Sequence, residues 1–281
     1  MSRIAQKFLA LKQQGRRALI PYITAGDPEP WTTVRLMHAL VKSGADILEL
    51  GVPFSDPMAD GPVIQRASER ALKHKISLTQ VLAMVREFRD KDNNTPVVLM
   101  GYLNPIEAMG YERFAREAAA AGVDGALTVD LPPEEADSFR AALKSQGLDT
   151  IFLLAPTSPI ERIKLIARAA SGFIYYVSLR GVTGAANLDV REVAAKLKEI
   201  RKHTKLPLGV GFGIGSPETA AQVAEFADAV IVGSAVVKRM EDMMAVPEKI
   251  LTEVPFFIAR LREAMDRTAQ TPASSATGAS R

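Results

Sequence analysis

Eight short apolar runs, separated by loops and helix-like segments, constrain the fold of this 281-residue chain more than any other feature. Most of the runs are rich in valine, isoleucine and leucine and do not alternate with polar residues, which is typical of strands covered on both faces. They are therefore predicted to be buried β-strands of an α/β protein. The runs are Ala18–Ile23, Asp46–Leu50, Val97–Gly101, Gly125–Val129, Thr150–Leu154, Phe173–Val177, Leu208–Phe212 and Ala229–Val232.

Helix-like segments lie between most of these runs. Glu135–Gln146 and Glu161–Ala170 each carry apolar residues on one stripe, and Pro133–Glu135 is typical of a helix start. Strands that alternate with helices pair in parallel through right-handed crossovers, and eight such strands close a (β/α)8 TIM barrel. An open, doubly wound sheet is the alternative. We favour the barrel, in part because no dinucleotide-binding fingerprint follows the first strand.

Two helices are predicted in addition to those of a regular barrel. The N-terminal segment places Ile4, Phe8 and Leu11 on one face of a short amphipathic helix. The connection between the second and third strands is about twice as long as most others, which leaves room for an extra helix near Leu78–Asp90. We expect a single catalytic barrel domain over residues 1–267, and a disordered tail over the small, polar segment 268–281.

Composition excludes several classes of function. The chain has no cysteine, which rules out thiol catalysis and thiolate metal sites, and no His, Asp and Glu grouping has metal-ligand spacing. Its 35 basic and 32 acidic side chains leave a net charge of +3, so we expect no nucleic-acid partner. No signal-peptide core or membrane-spanning stretch is seen, so we expect a cytoplasmic protein that does not bind membranes.

Two carboxylates stand out around the end of the second predicted strand. Glu49 lies within an apolar run, and Asp60 follows on a loop stiffened by prolines. Because a buried charge is costly, and because two acids in different surroundings can take two protonation roles at one pH, both are candidate catalytic residues. Barrel active sites lie where strands end. The alternatives are a salt bridge inside the barrel for Glu49 and a turn or helix-capping role for Asp60.

Glycine clusters follow the last three predicted strands. Gly209–Gly215 overlaps the end of the seventh strand and precedes a helix start. Gly233 and Ser234 follow the eighth strand, and Gly181–Gly184 follows the sixth. Backbone N–H groups in such loops and at helix N-termini bind anions, and barrels often bind phosphate after strands seven and eight. The clusters predict a phosphorylated substrate without identifying it.

Aromatic and apolar residues also gather at the predicted strand ends. Each of them alone is more often a core residue, but together they could line a pocket for a flat apolar group. The small-residue segment Arg180–Ala186, which comes after the sixth predicted strand, is a candidate lid. The strand-end residues are Tyr22, Met100, Tyr102, Leu127, Val129, Tyr175, Phe212 and Ile231.

In order and spacing, the motifs of this chain resemble those of the tryptophan synthase alpha chain family from about Ile4 to about Ala264. This resemblance implies a (β/α)8 lyase that cleaves indole-3-glycerol phosphate to indole and glyceraldehyde 3-phosphate in tryptophan biosynthesis. It also implies an α2β2 complex, with no cofactor in this chain and pyridoxal phosphate on the beta chain, which receives indole through a tunnel. The motifs are Pro21–Pro28, Glu49–Pro57, Ala59–Pro62, Asn104-Pro105, Asp130–Pro133, Gly181–Gly184 and Gly211–Gly215.

The resemblance also implies roles for individual residues. Glu49 matches the general acid/base, Asp60 the acid that binds the indole N–H, and Tyr175 a tyrosine beside the reacting centre. Segments 53–57 and 104–109 match loops near the partner. The phosphate cradle is matched by Gly184, Gly213, Gly233 and Ser234, and the indole pocket by Tyr22, Met100, Leu127, Phe212 and Ile231.

One position departs from the family pattern. The best-known members carry an arginine directly after the serine that matches Ser178, whereas this chain has Leu179 followed by Arg180. The contacts that close the lid are therefore expected to differ. Two other functions stay open at this point: a phosphate-binding barrel isomerase of histidine or tryptophan synthesis, and a non-catalytic regulatory subunit that binds a glycerol phosphate.

Overall fold

The computed structural model describes residues 1–178, 189–211 and 213–270. Within these residues, eight parallel strands form a closed barrel in which each pairs with its neighbours in sequence and the last pairs with the first. The predicted (β/α)8 fold is confirmed, and the open sheet is excluded. The strands are β1 (Ala18–Thr24), β2 (Leu48–Gly51), β3 (Val97–Gly101), β4 (Gly125–Thr128), β5 (Asp149–Leu154), β6 (Ile174–Val177), β7 (Leu208–Gly211) and β8 (Ala229–Val232).

Helices surround the barrel. The described residues form twelve of them, together with one 3-10 turn at Pro247–Lys249. They are α1 (Arg3–Gln13), α2 (Pro30–Lys42), α3 (Pro62–Lys73), α4 (Leu78–Arg89), α5 (Leu103–Met109), α6 (Tyr111–Ala121), α7 (Asp137–Ser145), α8 (Ile160–Ala169), α9 (Val190–Ile200), α10 (Pro217–Ala224), α11 (Ser234–Asp242) and α12 (Ile250–Gln270).

Most predicted element boundaries agree with the structure to within one residue, and two are wrong by two residues for local reasons. β2 begins at Leu48 and not at Asp46, because the Asp46 carboxylate accepts the backbone N–H of Leu19 at 2.9 Å just before the strand. The helix predicted from Glu135 begins at Asp137. The Glu135 N–H donates to the Pro132 carbonyl at 3.1 Å and holds a turn at that point.

The N-terminal helix α1 closes one end of the barrel. Ile4, Phe8 and Leu11 are buried in the same apolar cluster as inward-facing strand residues, and the rings of Phe8 and Phe173 lie 5.8 Å apart. Arg3 adds an ion pair with Asp124 at 2.7 Å. The predicted amphipathic face is therefore confirmed.

Polar side chains join the strands at this N-terminal end. A side chain just before each even-numbered strand accepts a backbone N–H near the start of the preceding strand, so that these donors are satisfied away from water. The four bonds join Leu19 to Asp46 at 2.9 Å, Val97 to Asp124 at 2.8 Å, Thr150 to Ser171 at 2.9 Å and Leu208 to Asp228 at 2.8 Å.

The connection between β2 and β3 is the long one that the sequence predicts. It contains an irregular loop over residues 52–61, then α3, then the extra helix α4, which ends at Arg89. At the C-terminus, α12 extends to Gln270, and residues 271–281 lie outside the described part of the chain. None of the described helices is long and apolar enough to cross a membrane.

Candidate active site

An open cavity of about 260 Å³ lies at the C-terminal ends of the barrel strands. A closed parallel barrel presents these strand ends and the loops after them on one face, where barrel enzymes carry their sites. The wall is mainly apolar, and it includes two carboxylates and glycine-rich backbone. The lining residues are Tyr22, Glu49, Asp60, Gly61, Ile64, Met100, Tyr175, Gly213, Ile214, Gly215, Ile231, Gly233, Ser234 and Ala235.

Glu49 is a buried carboxyl group without a compensating charge. Its residue is 2% exposed, and Oε1 has no hydrogen-bond partner among the described residues. Burial raises the pKa of Glu49 to about 8, and the neighbouring Asp60 carboxylate adds to the rise. No basic side chain in the described ranges pairs with it, so the alternative of a salt bridge inside the barrel is not found.

Asp60 lies on the loop before α3, half-buried beside the cavity. The Tyr102 hydroxyl donates to Oδ2 of Asp60 at 3.1 Å. Burial raises the pKa of Asp60 to about 6, and the hydrogen bond from Tyr102 opposes this rise. α3 begins at Pro62 with Gly61 as its N-cap residue and no capping side chain, so Asp60 does not cap the helix.

Two tyrosines of the cavity wall each lie against a glycine of the next strand. A Cβ at Gly51 would come within 2.1 Å of the Tyr22 hydroxyl, and a Cβ at Gly211 within 2.2 Å of the Tyr175 hydroxyl. Both positions therefore require glycine. The Tyr22 hydroxyl also hydrogen-bonds Thr24 at 3.1 Å. Burial raises the pKa of both tyrosines well above the ordinary value, so both are neutral near pH 7.

Another part of the cavity rim is built from backbone and helix N-termini. Gly213 has a positive φ of 75°, and α10 begins soon after it, with Ser216 as its N-cap residue. α11 begins at Ser234 with Gly233 before it. The first N–H groups of a helix have no partner within the helix, and the helix dipole favours an anion there. This rim therefore has the character of a phosphate site.

Most of the predicted site residues come together around this one cavity. Among those described, Leu127, Tyr102 and Val129 do not line it. Leu127 is 1% exposed and belongs to the buried interior cluster, as do Tyr175 and Ile231, which also line the cavity. Gly184, Phe212 and the predicted lid lie outside the described residues. The predicted residues that line the cavity are Tyr22, Glu49, Asp60, Met100, Tyr175, Gly213, Ile231, Gly233 and Ser234.

Sequence reasoning missed two parts of the site. It grouped Tyr102 with the strand-end aromatic residues but not as the donor to Asp60. The available signal was its position directly after β3, whose end lies beside the end of β2. It also missed Ile64 and Ala235, which reach the cavity from the first turns of α3 and α11. A helix residue of this kind shows no strand-end signal in the sequence.

This arrangement can do acid–base chemistry on a phosphorylated apolar substrate. At neutral pH, a group with a pKa near 8 is mostly protonated and one with a pKa near 6 is mostly ionised, so the two acids have different roles. In the described part of the chain, no cluster of three or more His, Cys, Asp or Glu side chains could hold a metal ion.

Comparison with known proteins agrees with this geometry. The sequence model of the tryptophan synthase alpha chain family matches residues 8–266. Tryptophan synthase alpha chains from Nitrosococcus oceani and Thioalkalivibrio sulfidiphilus are 63% and 64% identical to this chain. Each match covers 95% of this chain, and they cover 99% and 100% of the respective relatives.

Solved structures give the same result. The crystal structure of tryptophan synthase subunit alpha from Legionella pneumophila is 50% identical, with a TM-score of 0.89, and the match covers 95% of this chain and 99% of that one. A structure of Mycobacterium tuberculosis tryptophan synthase is 38% identical, with a TM-score of 0.85, over 94% and 98% of the two chains. The chain therefore belongs to the tryptophan synthase alpha chain family, whose enzymes cleave indole-3-glycerol phosphate in tryptophan biosynthesis.

Proposed function

We propose that Glu49 is the general acid and base of the cleavage reaction. The reaction needs a proton on indole C3 and the loss of a proton from the hydroxyl of the adjacent glycerol carbon. When the bond between these carbons breaks, its electron pair returns to the indole ring and the hydroxyl carbon becomes the aldehyde. One carboxyl group can donate the first proton and accept the second. The observation that carries this role is the buried, unpaired Glu49 carboxyl with a pKa of about 8.

Asp60 has a complementary role in this proposal. Protonation at C3 places positive charge on the indole ring, and an ionised carboxylate that accepts the indole N–H stabilises that charge. Its lower pKa, about 6, supports this assignment, because the group is charged while Glu49 is protonated. Tyr175, neutral and buried beside the two acids, would lie at the reacting centre and shape it.

The remaining wall supplies binding. Tyr22, Met100 and Ile231 would hold the indole ring, and Leu127 would support it from below. Gly213, Gly233 and Ser234 would hold the phosphate at the helix N-termini. Gly184 and Phe212, for which the family resemblance is the support, complete the phosphate cradle and the indole pocket in this proposal.

Membership of the family implies a beta-chain partner. We infer an α2β2 complex in the cytoplasm, with pyridoxal phosphate on the beta chain and no cofactor in this one. Segments 53–57 and 104–109 are the proposed contact region. The neighbouring Met58 is 86% exposed, and a large exposed apolar side chain beside a site is a feature of protein-binding surfaces.

The test is indole release from indole-3-glycerol phosphate, measured with and without a beta chain. Glu49→Gln should lower turnover by about 10²–10⁴-fold, the usual contribution of a general acid or base, while folding normally. Asp60→Asn should be severely impaired, and Glu112→Gln, an exposed change on α6, should match the wild type. Near-normal turnover of Glu49→Gln would remove Glu49 from the mechanism, and rates unaffected by the beta chain would contradict the proposed complex.

A further inference from the structure

Two side chains outside the Asp60 loop, those of Gln65 and Tyr102, bond to it. Gln65 of α3 donates to the backbone carbonyls of Asp60 at 2.8 Å and Pro57 at 3.4 Å, which fixes the backbone but not the carboxylate. Residues 52–61 form no helix or strand. Within the loop, the Asp60 N–H donates to the Pro57 carbonyl at 3.0 Å, which shapes the backbone but does not orient the carboxylate. The carboxylate itself has one hydrogen-bond partner among the described residues, the Tyr102 hydroxyl.

The hydrogen-bond directions at Tyr102 follow from its two neighbours in the loop. The Ala59 N–H donates to the Tyr102 hydroxyl oxygen at 3.0 Å. An N–H group can act only as a donor, so the hydroxyl proton stays available, and Oδ2 of Asp60 lies 3.1 Å away to accept it. One hydroxyl therefore joins two consecutive residues of the loop.

Tyr102 is itself held by the barrel. It directly follows β3, is the residue before α5, and is 4% exposed. Its ring stacks on Phe54 with centroids 5.1 Å apart and an interplanar angle of 26°. The position of the hydroxyl is thus set by a strand end, which is more rigid than the loop. Phe54 is itself a loop residue, so the ring contact is a further link between Tyr102 and the loop.

The groups that face Asp60 from the other elements are all acids or neutral hydroxyls. Glu49 faces it from β2, Tyr22 from β1 and Tyr175 from β6. No arginine, lysine or histidine of the described ranges acts on it. Among the described residues, the Tyr102 hydroxyl is consequently the one group that stabilises the charged form of Asp60 against burial.

We propose that Tyr102 is a positioning residue for Asp60: its hydroxyl fixes the carboxylate toward the cavity and keeps it ionised during the reaction. The inference rests on the proposed function, because it assigns Tyr102 an effect on turnover through the role given to Asp60. Tyr102 does not line the cavity, so it acts through Asp60 and not on the substrate.

The test is Tyr102→Phe, which removes the hydroxyl and keeps the ring that stacks on Phe54. In the complex with the beta chain, the acid limb of the kcat profile should move up by about one pH unit, because a hydrogen bond to a charged group is being lost. At pH values below the midpoint of this limb, turnover should be roughly tenfold lower than that of the wild type, and it should recover at higher pH. A uniform loss at every pH, with an unmoved limb, would mean a merely structural role and overturn the proposal.

Tyr111→Phe is the matched control. The Tyr111 hydroxyl also donates to a carboxylate, Glu107 at 2.8 Å, but at an exposed position that does not line the cavity. Its acid limb should stay at the wild-type pH. A limb that moved equally in both variants would show that the shift does not come from Asp60.

A titration that does not depend on activity separates this inference from the proposed function. In the full-length chain labelled with ¹³C at aspartate carboxyl carbons, the Asp60 signal is the one missing in Asp60→Asn. In the wild type, this signal should titrate with the Asp60 pKa of about 6, and in Tyr102→Phe the midpoint of the titration should be higher. An unchanged midpoint overturns the positioning role. Full turnover of Asp60→Asn would instead overturn the catalytic role of Asp60, whatever the titration shows.

Discussion

Two buried aspartates at the N-terminal end of the barrel and Glu49 at its C-terminal end lie in opposite surroundings. At the N-terminal end, Asp46 meets Arg262 at 3.1 Å, and Asp124 meets Arg89 at 2.8 Å. Both aspartates also accept a backbone N–H of the neighbouring strand. At the C-terminal end, Glu49 has neither a cation nor a hydrogen bond for its Oε1 among the described residues.

This difference separates stability from function within one barrel. Burial raises the pKa of Asp46 and Asp124 as well, but their guanidinium partners and N–H donors oppose the rise. Glu49 has no such opposition, so its pKa moves to about 8, near the pH at which a proton donor works efficiently. Leaving this carboxyl group without a partner lowers the stability of the fold at neutral pH and serves the chemistry.

Removing a partner at the N-terminal end should have the largest effect on stability. The Arg89 guanidinium donates to Asp124 and to the carbonyls of Asp92, Thr95 and Gly122. Arg89→Met leaves three carbonyls without this donor and, among the described residues, leaves the buried Asp124 carboxylate with only Arg3 and the Val97 N–H, so the free energy of unfolding should fall by about 3–5 kcal/mol. Urea unfolding of the isolated chain measures it.

The control for this prediction is Arg113→Met, which breaks an exposed pair with Glu117 on α6. It should cost less than about 1 kcal/mol. The folded fraction of Arg89→Met should keep its turnover with the beta chain, because Arg89 does not line the cavity. Equal losses of unfolding free energy in both variants would show that the buried ion pairs at the N-terminal end do not stabilise the barrel more than an exposed pair does.

The same comparison explains which features of the barrel could be predicted from the sequence and which could not. Apolar runs identify strands because every barrel strand is covered on both faces, so β3 was predicted at the residues found. Glu49 was visible because a charge interrupts such a run. The ion pairs could not be predicted from spacing, because Asp46 and Arg262 are 216 residues apart and meet only in the closed barrel.

The sequence also could not show which strand residues reach the cavity. Leu127 and Met100 are partners in the pairing of β3 and β4, and both were predicted to line the pocket. Met100 reaches the cavity, whereas Leu127 is covered. Position along a strand gives height in the barrel, but which of two neighbours is exposed depends on loops and helices packed above them.

A second prediction concerns the stability cost of Glu49. A folded pKa of about 8, against an ordinary value of 4.5, means that the folded state binds the extra proton between these values. The stabilisation of the folded state by this proton is full below about pH 4.5 and is lost as the pH rises through 8. Glu49→Gln cannot titrate, so its unfolding free energy relative to the wild type should increase by about 2–4 kcal/mol from pH 5 to pH 8.5.

Urea unfolding at several pH values checks this, and taking the difference between pH values cancels any fixed effect of the glutamine amide. Glu112→Gln, exposed on α6, should show a difference that does not vary with pH. If Glu49→Gln also gave a flat difference, the carboxyl group would titrate near its ordinary value. The contrast between the barrel ends would then have no effect on the free energy of unfolding.

The smallest expected effect comes from making the C-terminal end resemble the other one. Met100 lies on β3 opposite Gly51, and its side chain lines the cavity with Glu49. In Met100→Lys, an ammonium group in that wall should lower the pKa of Glu49, because an opposite charge favours the ionised form. The loss of stability from pH 6 to pH 8.5 should shrink by about 1–2 kcal/mol, and Met100→Leu should keep the wild-type loss.

The two readouts of Met100→Lys should move in opposite directions. Relative stability at high pH should improve, while turnover at neutral pH should fall below that of Met100→Leu, since an ionised Glu49 cannot protonate indole C3. A stability profile identical to that of the leucine variant would mean that water in the open cavity screens the new charge. The raised pKa of Glu49 would then come from its own burial, and adding a cation at the rim could not convert one end of the barrel into the other.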